Sequence, residues 1–202
     1  MLVAPWITLL LGVAPPSFGP PRLPDLRVEL LQRMKVDQDA RKKMMASFSQ
    51  GNRAAFEELR AVDNENTRRI REVVARHGWP GRTLVGVDGA HAVWLLVQHA
   101  DHDRAFQKEC LEKMRRCAPG EVSGRDVAYL TDRVLVGEGK PQRYGTQFQV
   151  QNGKLVPQPL ETPGEVDRRR GELGMEPLSQ YLEFAEKAQR EFSRKPSLEK
   201  KP

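Results

Sequence analysis

Residues His91–Val97 (HAVWLLV) put apolar groups on nearly every side of a helix, and no other segment constrains the fold as much. A helix without a polar face has to be surrounded by other elements. The segment is therefore predicted as the first half of a long central helix, roughly 89–116, whose second half is amphipathic. The rest of the chain must supply the layers that cover it.

Those layers are legible as helical periodicity. Leu26, Leu30, Met34, Met44, Met45 and Phe48 form a stripe that predicts a helix over roughly 25–48, broken by Ser49–Asn52. A short helix carrying Phe56 and Leu59 is expected next. A separate helix starts at Asp63 as N-cap and runs to His77, with Val62, Asn66, Ile70, Val73 and Val74 on one face. Gly78 caps it and Trp79-Pro80 stops it. Residues 81–87 read as a loop or a short extended piece. Ser123 caps a helix over roughly 124–136, with Val127, Leu130 and Val134 inward.

One stretch changes period. Tyr144, Thr146, Phe148 and Val150 alternate with polar residues, and Asn152-Gly153 then precedes Lys154-Leu155-Val156. Alternation around Asn-Gly predicts a β-hairpin near 143–157, which Pro157 and Pro159 keep at an edge. Thr162-Pro163 opens a helix that runs past Arg168-Arg169-Arg170, a run read as a solvated face, to Gly174. Pro177 opens the last helix, whose face is Leu178, Tyr181, Leu182, Ala185 and Phe192. The fold class is mainly α (α+β by a strict count): several helices around a central one, with a single hairpin.

With 202 residues, 39% of them hydrophobic, the chain fits one domain plus tails. The domain is assigned to 24–192, between an apolar, Pro-rich segment 1–23 and a basic tail 193–202 expected to be disordered. The net charge of +6 sits largely in that tail, where Arg194, Lys195, Lys200 and Lys201 face only Glu199. Elsewhere basic and acidic residues are mixed, which argues against nucleic-acid binding. Ile7–Ala14 is too short an apolar run to span a membrane, and no Lys or Arg precedes it. Export on so poor a signal is the alternative to a cytoplasmic location. Cys110 and Cys117 lie two helical turns, about 10 Å, apart on one helix. That is beyond the roughly 7 Å that a disulfide spans.

Polar residues interrupt the apolar faces, and burying them is costly unless they pair. His99 points into the arc of Leu95, Leu96, Phe106 and Cys110, flanked by His102 and Asp103. Asp103, four residues on, is placed to orient the imidazole for acid–base work. Asp101 points to solvent. Asp37 and Arg41 sit within the first stripe, and Asn66 within the third helix. Each alone reads as a buried salt bridge or an irregular helix face; with His99 they suggest polar groups turned inward at one level. Arg133, at the edge of its helix's apolar face, and Tyr144 suit an anionic or carbonyl-bearing ligand, whereas a surface ion pair with Asp126 or Glu138 is the plain reading of Arg133. Gln147 alternates away from Tyr144. His99, His102 and Asp103 also have the spacing of metal ligands, but all come from one element, whereas zinc sites draw on several. No nucleophile elbow, phosphate-cradling loop or dinucleotide fingerprint is present, so no cofactor is named.

The runs HGWPGRTLVG, WLLVQHADHDRAFQ, AYLTDRV, QRYGTQF and VDRRRGELGMEPLSQYL, in that order, resemble a bacterial domain-of-unknown-function family over roughly 30–190. The resemblance transfers no activity. It singles out His99, Asp101, Asp103, Arg133, Tyr144, Gly145, Thr146 and Gln147, which fall in the matching runs. It argues against His91, because family members carry small residues where this chain has Asp88–His91. Two functions follow. One is a hydrolase- or lyase-type enzyme acting on a small polar or anionic substrate. There His99, Asp103 and His102 are catalytic, and Arg133, Tyr144, Gln147, Asp37, Arg41 and Asn66 contact substrate. The other is a non-enzymatic binding or interaction domain with a structural polar network.

Overall fold

In the computed structural model, which describes residues 18–47 and 53–194, the apolar segment is indeed the one that everything else covers. It belongs to α3 (Arg82–Gln98), which packs against α1 (Pro24–Ser47), α2 (Arg53–His77), α4 (Arg104–Arg115) and α5 (Gly124–Gly137). Ala92, Val93 and Val97 are completely buried, and they meet Leu30 of α1, Ile70 and Val74 of α2, Phe106 and Cys110 of α4 and Leu130 of α5. Behind α5 come β1 (Phe148–Gln151), β2 (Lys154–Pro157), a 3₁₀ turn (Pro163–Glu165), α6 (Val166–Gly171) and α7 (Leu178–Arg194). The fold is mainly α, with seven helices and one two-stranded antiparallel hairpin among the described residues. The segments 1–17, Phe48–Asn52 and 195–202, with the expected signal, helix break and basic tail, lie outside the described residues.

Four sequence expectations need correction. The central helix is two helices, because α3 ends at Gln98 and α4 begins at Arg104. Asp103 is the N-cap of α4, its Oδ1 accepting the Phe106 N–H at 3.1 Å, and a side chain used this way competes with helix continuation. Residues 82–87 are a helical turn instead of a loop, kinked at Gly86, whose φ of +75° favours glycine. The helix expected to start at Asp63 has no break there: α2 runs through it and takes in the short helix expected around Phe56 and Leu59, and Phe56 is 49% exposed. The hairpin ladder covers only Phe148–Gln151 against Lys154–Pro157, so Tyr144–Gln147 lie before it. The turn is as expected, with Asn152 and Gly153 both at positive φ.

The outer elements are joined by aromatic rings. Tyr181 of α7 meets Tyr129 of α5 edge-on at 6.0 Å and Phe148 of β1 at 5.2 Å. Cys110 and Cys117 are free thiols. No described helix is long and apolar enough to cross a membrane.

Candidate functional site

The end of α3 places His99 at the rim of the helix layer. Its backbone N–H still donates to Leu95 O at 3.1 Å, so the residue is the helix C-cap, and its ring is directed at α1. Nδ1 lies 3.0 and 2.9 Å from the two carboxylate oxygens of Asp37, a residue with no exposed surface. Arg41, one turn further along α1, has its Nε 3.3 Å from Asp37 Oδ1 and 2.9 Å from His99 Nδ1, and its Nη2 donates to Asp63 of α2 at 2.6 Å. Arg41 Nε and Asp37 both face Nδ1, and one ring nitrogen cannot serve an acceptor and a donor together. Two negative atoms at 2.9 Å repel unless a proton lies between them, so Nδ1–H donates to Asp37 and Arg41 Nε–H is shared onto the same carboxylate. The imidazole is 17% exposed, and its Nε2 has no hydrogen-bond partner among the described residues.

Charge explains why Asp37 tolerates burial. Loss of water pushes its carboxyl up, but the His99 hydrogen bond, the neighbouring Arg41 charge and a bond from Gln38 outweigh it, and its pKa falls below the ordinary value. Asp63 goes the other way. Burial raises it more than Arg41 lowers it, and the Asp37 charge adds to the rise.

The sequence-predicted residues therefore divide. His99, Asp37 and Arg41 come together, and Asp63 joins them. Asp103 is not the partner of the imidazole: it caps α4 and its Oδ2 pairs with Arg71 of α2. His102 is exposed. Asn66 is buried but is held by Arg33 (Nη1 to Oδ1 3.3 Å), away from His99 in its bonding. Arg133 pairs with neither Asp126 nor Glu138 but with Asp101, Nη1 to Oδ2 at 3.2 Å. This connects α5 to the same 99–103 turn that carries His99.

The loop 142–147 belongs to a second network, centred on Asp132. This residue has no exposed surface and accepts the N–H groups of Arg143 (2.8 Å), Tyr144 (3.1 Å) and Thr146 (3.0 Å) together with the Thr146 hydroxyl (3.0 Å). From the opposite side, Arg169 Nη1 donates to Arg143 O at 2.8 Å and Arg170 Nη1 to Tyr144 O at 2.7 Å. The peptide unit between Arg143 and Tyr144 is thus held between an anion and a cation. Only Arg168 of the arginine run is on a solvated face; Arg169 and Arg170 are buried, which corrects the reading of that run. Gln142, also buried, accepts Gln147 N–H at 2.9 Å and donates to Gln147 O and Gln158 O. Tyr144 and Gln147 are half-buried, and Gln147 Nε2 donates to the Thr146 hydroxyl at 3.1 Å.

Sequence reasoning missed Asp63, Asp132, Gln142, Gln107, Arg169 and Arg170. Gln107, 1% exposed, fixes the 99–103 turn: its Nε2 lies 3.2 Å from each of Val97 O, Gln98 O and Asp101 Oδ1. Among the described residues no group of three or more His, Cys, Asp or Glu is gathered to hold a metal ion. Three concave surfaces lie away from His99. The largest, about 390 Å³, is lined by Arg22, Asp25, Arg69 and Arg76 among others, and a second, about 200 Å³, by Trp79, His91, Ser123 and Asp126 among others. The third, about 260 Å³, includes Thr83, Cys117 and Glu121.

In comparison with known proteins, residues 24–191 match a family described as "Family of unknown function (DUF6624)". No curated protein and no solved structure matches the chain.

Proposed function

We propose that this chain, which belongs to the DUF6624 family of unknown function, is a hydrolase- or lyase-type enzyme that works by acid–base catalysis on a small polar or anionic substrate. His99 is the proton carrier and Asp37 its orienter, in the role the sequence suggested for Asp103. Arg133 and Tyr144 contact the substrate. The observation that carries this reading is the Asp37–His99 pair. A buried carboxylate fixes Nδ1–H, and Nε2, at the rim, keeps a free lone pair. A carboxylate so placed sets the tautomer and stabilises the imidazolium formed when Nε2 takes a proton. Arg41 ties the carboxylate to α2 through Asp63, which limits rotation of the ring.

The test is His99→Asn. Turnover found for the natural chain by screening small carboxylates, esters and phosphate monoesters should vanish in the variant, with its circular dichroism and cooperative unfolding kept. A variant with undiminished turnover removes the reading. The three described cavities away from His99 favour a second reading, a network that only fixes helix register. Under that reading the same substitution lowers stability and changes nothing else.

A further inference from the structure

The pairing of Arg133 with Asp101 has the marks of a contact made to be exchanged. Arg133 starts from a buried stretch of backbone. It lies on α5 between Asp132 and Val134, both buried, and its own side chain is 31% exposed. Its Nε is buried and makes no hydrogen bond among the described residues. Its contact with Asp101 is a single one, Nη1 to Oδ2 at 3.2 Å. A guanidinium and a carboxylate that fit one another make two bonds of about 2.7–2.9 Å.

Asp101 is held loosely. Its side chain is 56% exposed, and its other oxygen is 3.2 Å from Gln107 Nε2. That amide has two hydrogens and three acceptors, since Val97 O and Gln98 O are equally near. Departure of Asp101 therefore leaves neither hydrogen of Gln107 without a partner. Its neighbour Asp103 is different, being tied by the Phe106 N–H and by Arg71. The turn thus carries one anchored aspartate and one releasable aspartate.

We infer that Asp101 occupies the oxyanion position of Arg133 and gives it up to a substrate oxyanion, a carboxylate or phosphate group, that binds the guanidinium at two points. The inference rests on the reading of Arg133 as a substrate contact and names the group it recognises. Asp101 then acts as a selectivity residue. A ligand must displace a charge already present, so neutral ligands gain nothing at Arg133, and one-point anions gain little.

The experiment uses inorganic phosphate and acetate as separate probes on the full chain, reading the Arg133 side-chain Nε–H signal by nitrogen–proton correlation NMR. Each probe that binds should shift that signal in a saturable way, and the stronger probe tells which oxyanion the site prefers. In Asp101→Asn the affinity should rise about two- to fivefold, the amount expected for removing an exposed ion pair. Arg133→Lys, which keeps the charge but not the two-point geometry and lacks that signal, is titrated, like the natural chain, by the backbone amides of residues 132–134; it should weaken binding, and the rise from Asp101→Asn should be absent in that background. In His99→Asn the titration should be unchanged, so failure of His99 as a proton carrier leaves this result standing. No shift with either probe, or equal affinity in the natural chain and Asp101→Asn, overturns the inference.

Discussion

Replacing Asp132 with asparagine removes one charge and one acceptor from the centre of the 142–147 loop and changes almost nothing in shape. The better of the two amide orientations keeps an oxygen on the Arg143 and Tyr144 N–H groups, which Oδ1 accepts at 2.8 and 3.1 Å. The amide nitrogen then faces the Thr146 N–H, a donor against a donor, whereas the Thr146 hydroxyl can turn and accept. The orphaned buried N–H costs about 1–3 kcal/mol, and the two surviving bonds fall from charge-assisted to neutral strength, about 1 kcal/mol each. Against this, burial alone pushes the Asp132 carboxyl above its ordinary value, opposed by its N–H and hydroxyl donors, and a neutral side chain recovers part of that cost. The net loss expected is about 2–3 kcal/mol. Urea unfolding of natural chain and variant measures it, and amide hydrogen exchange locates it: the amides of Arg143, Tyr144 and Thr146 should lose protection first. A loss below about 0.5 kcal/mol, or unchanged exchange at those three amides, would show that Asp132 does not organise the loop.

Asp37→Ala leaves Arg41 and His99 facing a buried space without their anion and should cost about 3–5 kcal/mol in urea unfolding, as for other broken buried pairs. Gly145→Ala should destabilise by more than about 1 kcal/mol, because φ is +69° and the added Cβ would fall 2.7 Å from Leu178 Cδ1; thermal unfolding reads this. Cys110, which burial pushes up to about 12, should resist a thiol reagent at pH 8 in the folded chain, and half-buried Cys117 should react first. The Arg69 hydrogen bond, against burial and with help from Arg33, holds Glu29 down at about 2, and Asp37 is lowered as well. Folded values below the unfolded ones mean stability that is full above about pH 5 and lost as pH falls toward 2, and Glu29→Gln should flatten that acid limb of the urea midpoint.

The helices were legible because their apolar stripes recur at the helical period, and the break after Gln98 was not, because nothing apolar is interrupted there. The signal lay in Asp103, a cap residue three positions before Phe106, and it was read instead as a helix-face partner of His99. Asp37 and Arg41 could be found because a charged pair stood in an apolar stripe. Asp63 could not, since an aspartate in that position reads equally well as a helix cap. Asp132 was hidden by geometry. At 100° per residue it falls about 140° from Val127, off the stripe of Val127, Leu130 and Val134. The helix is covered on two sides, however, and Ala128 and Asp132, with no exposed surface, mark the second, which faces the loop. The arginine run failed for a related reason. On a helix as short as α6 there is no period to average, and Arg169 and Arg170 are buried by a loop that arrives from elsewhere in the chain.

The two buried carboxylates solve the same cost by different means, and the difference bears on the proposed function. Replacing a buried ion by a well-packed apolar group is often neutral or stabilising, so stability alone does not account for either. Asp132 spends its charge on the backbone N–H groups of Arg143, Tyr144 and Thr146, which lie outside the hairpin ladder, and Arg169 and Arg170 balance it across the same peptides. The result is a rigid loop, a structural product. Asp37 spends its charge on an imidazole and a guanidinium, groups that need no fixing for the chain to fold, and one of them remains 17% exposed with a ring nitrogen free. A charge that stabilises only another side chain, at a rim, has its consequence in that side chain's chemistry. Under the proposed function, that asymmetry gives His99 the proton transfer and Asp132 the supporting part.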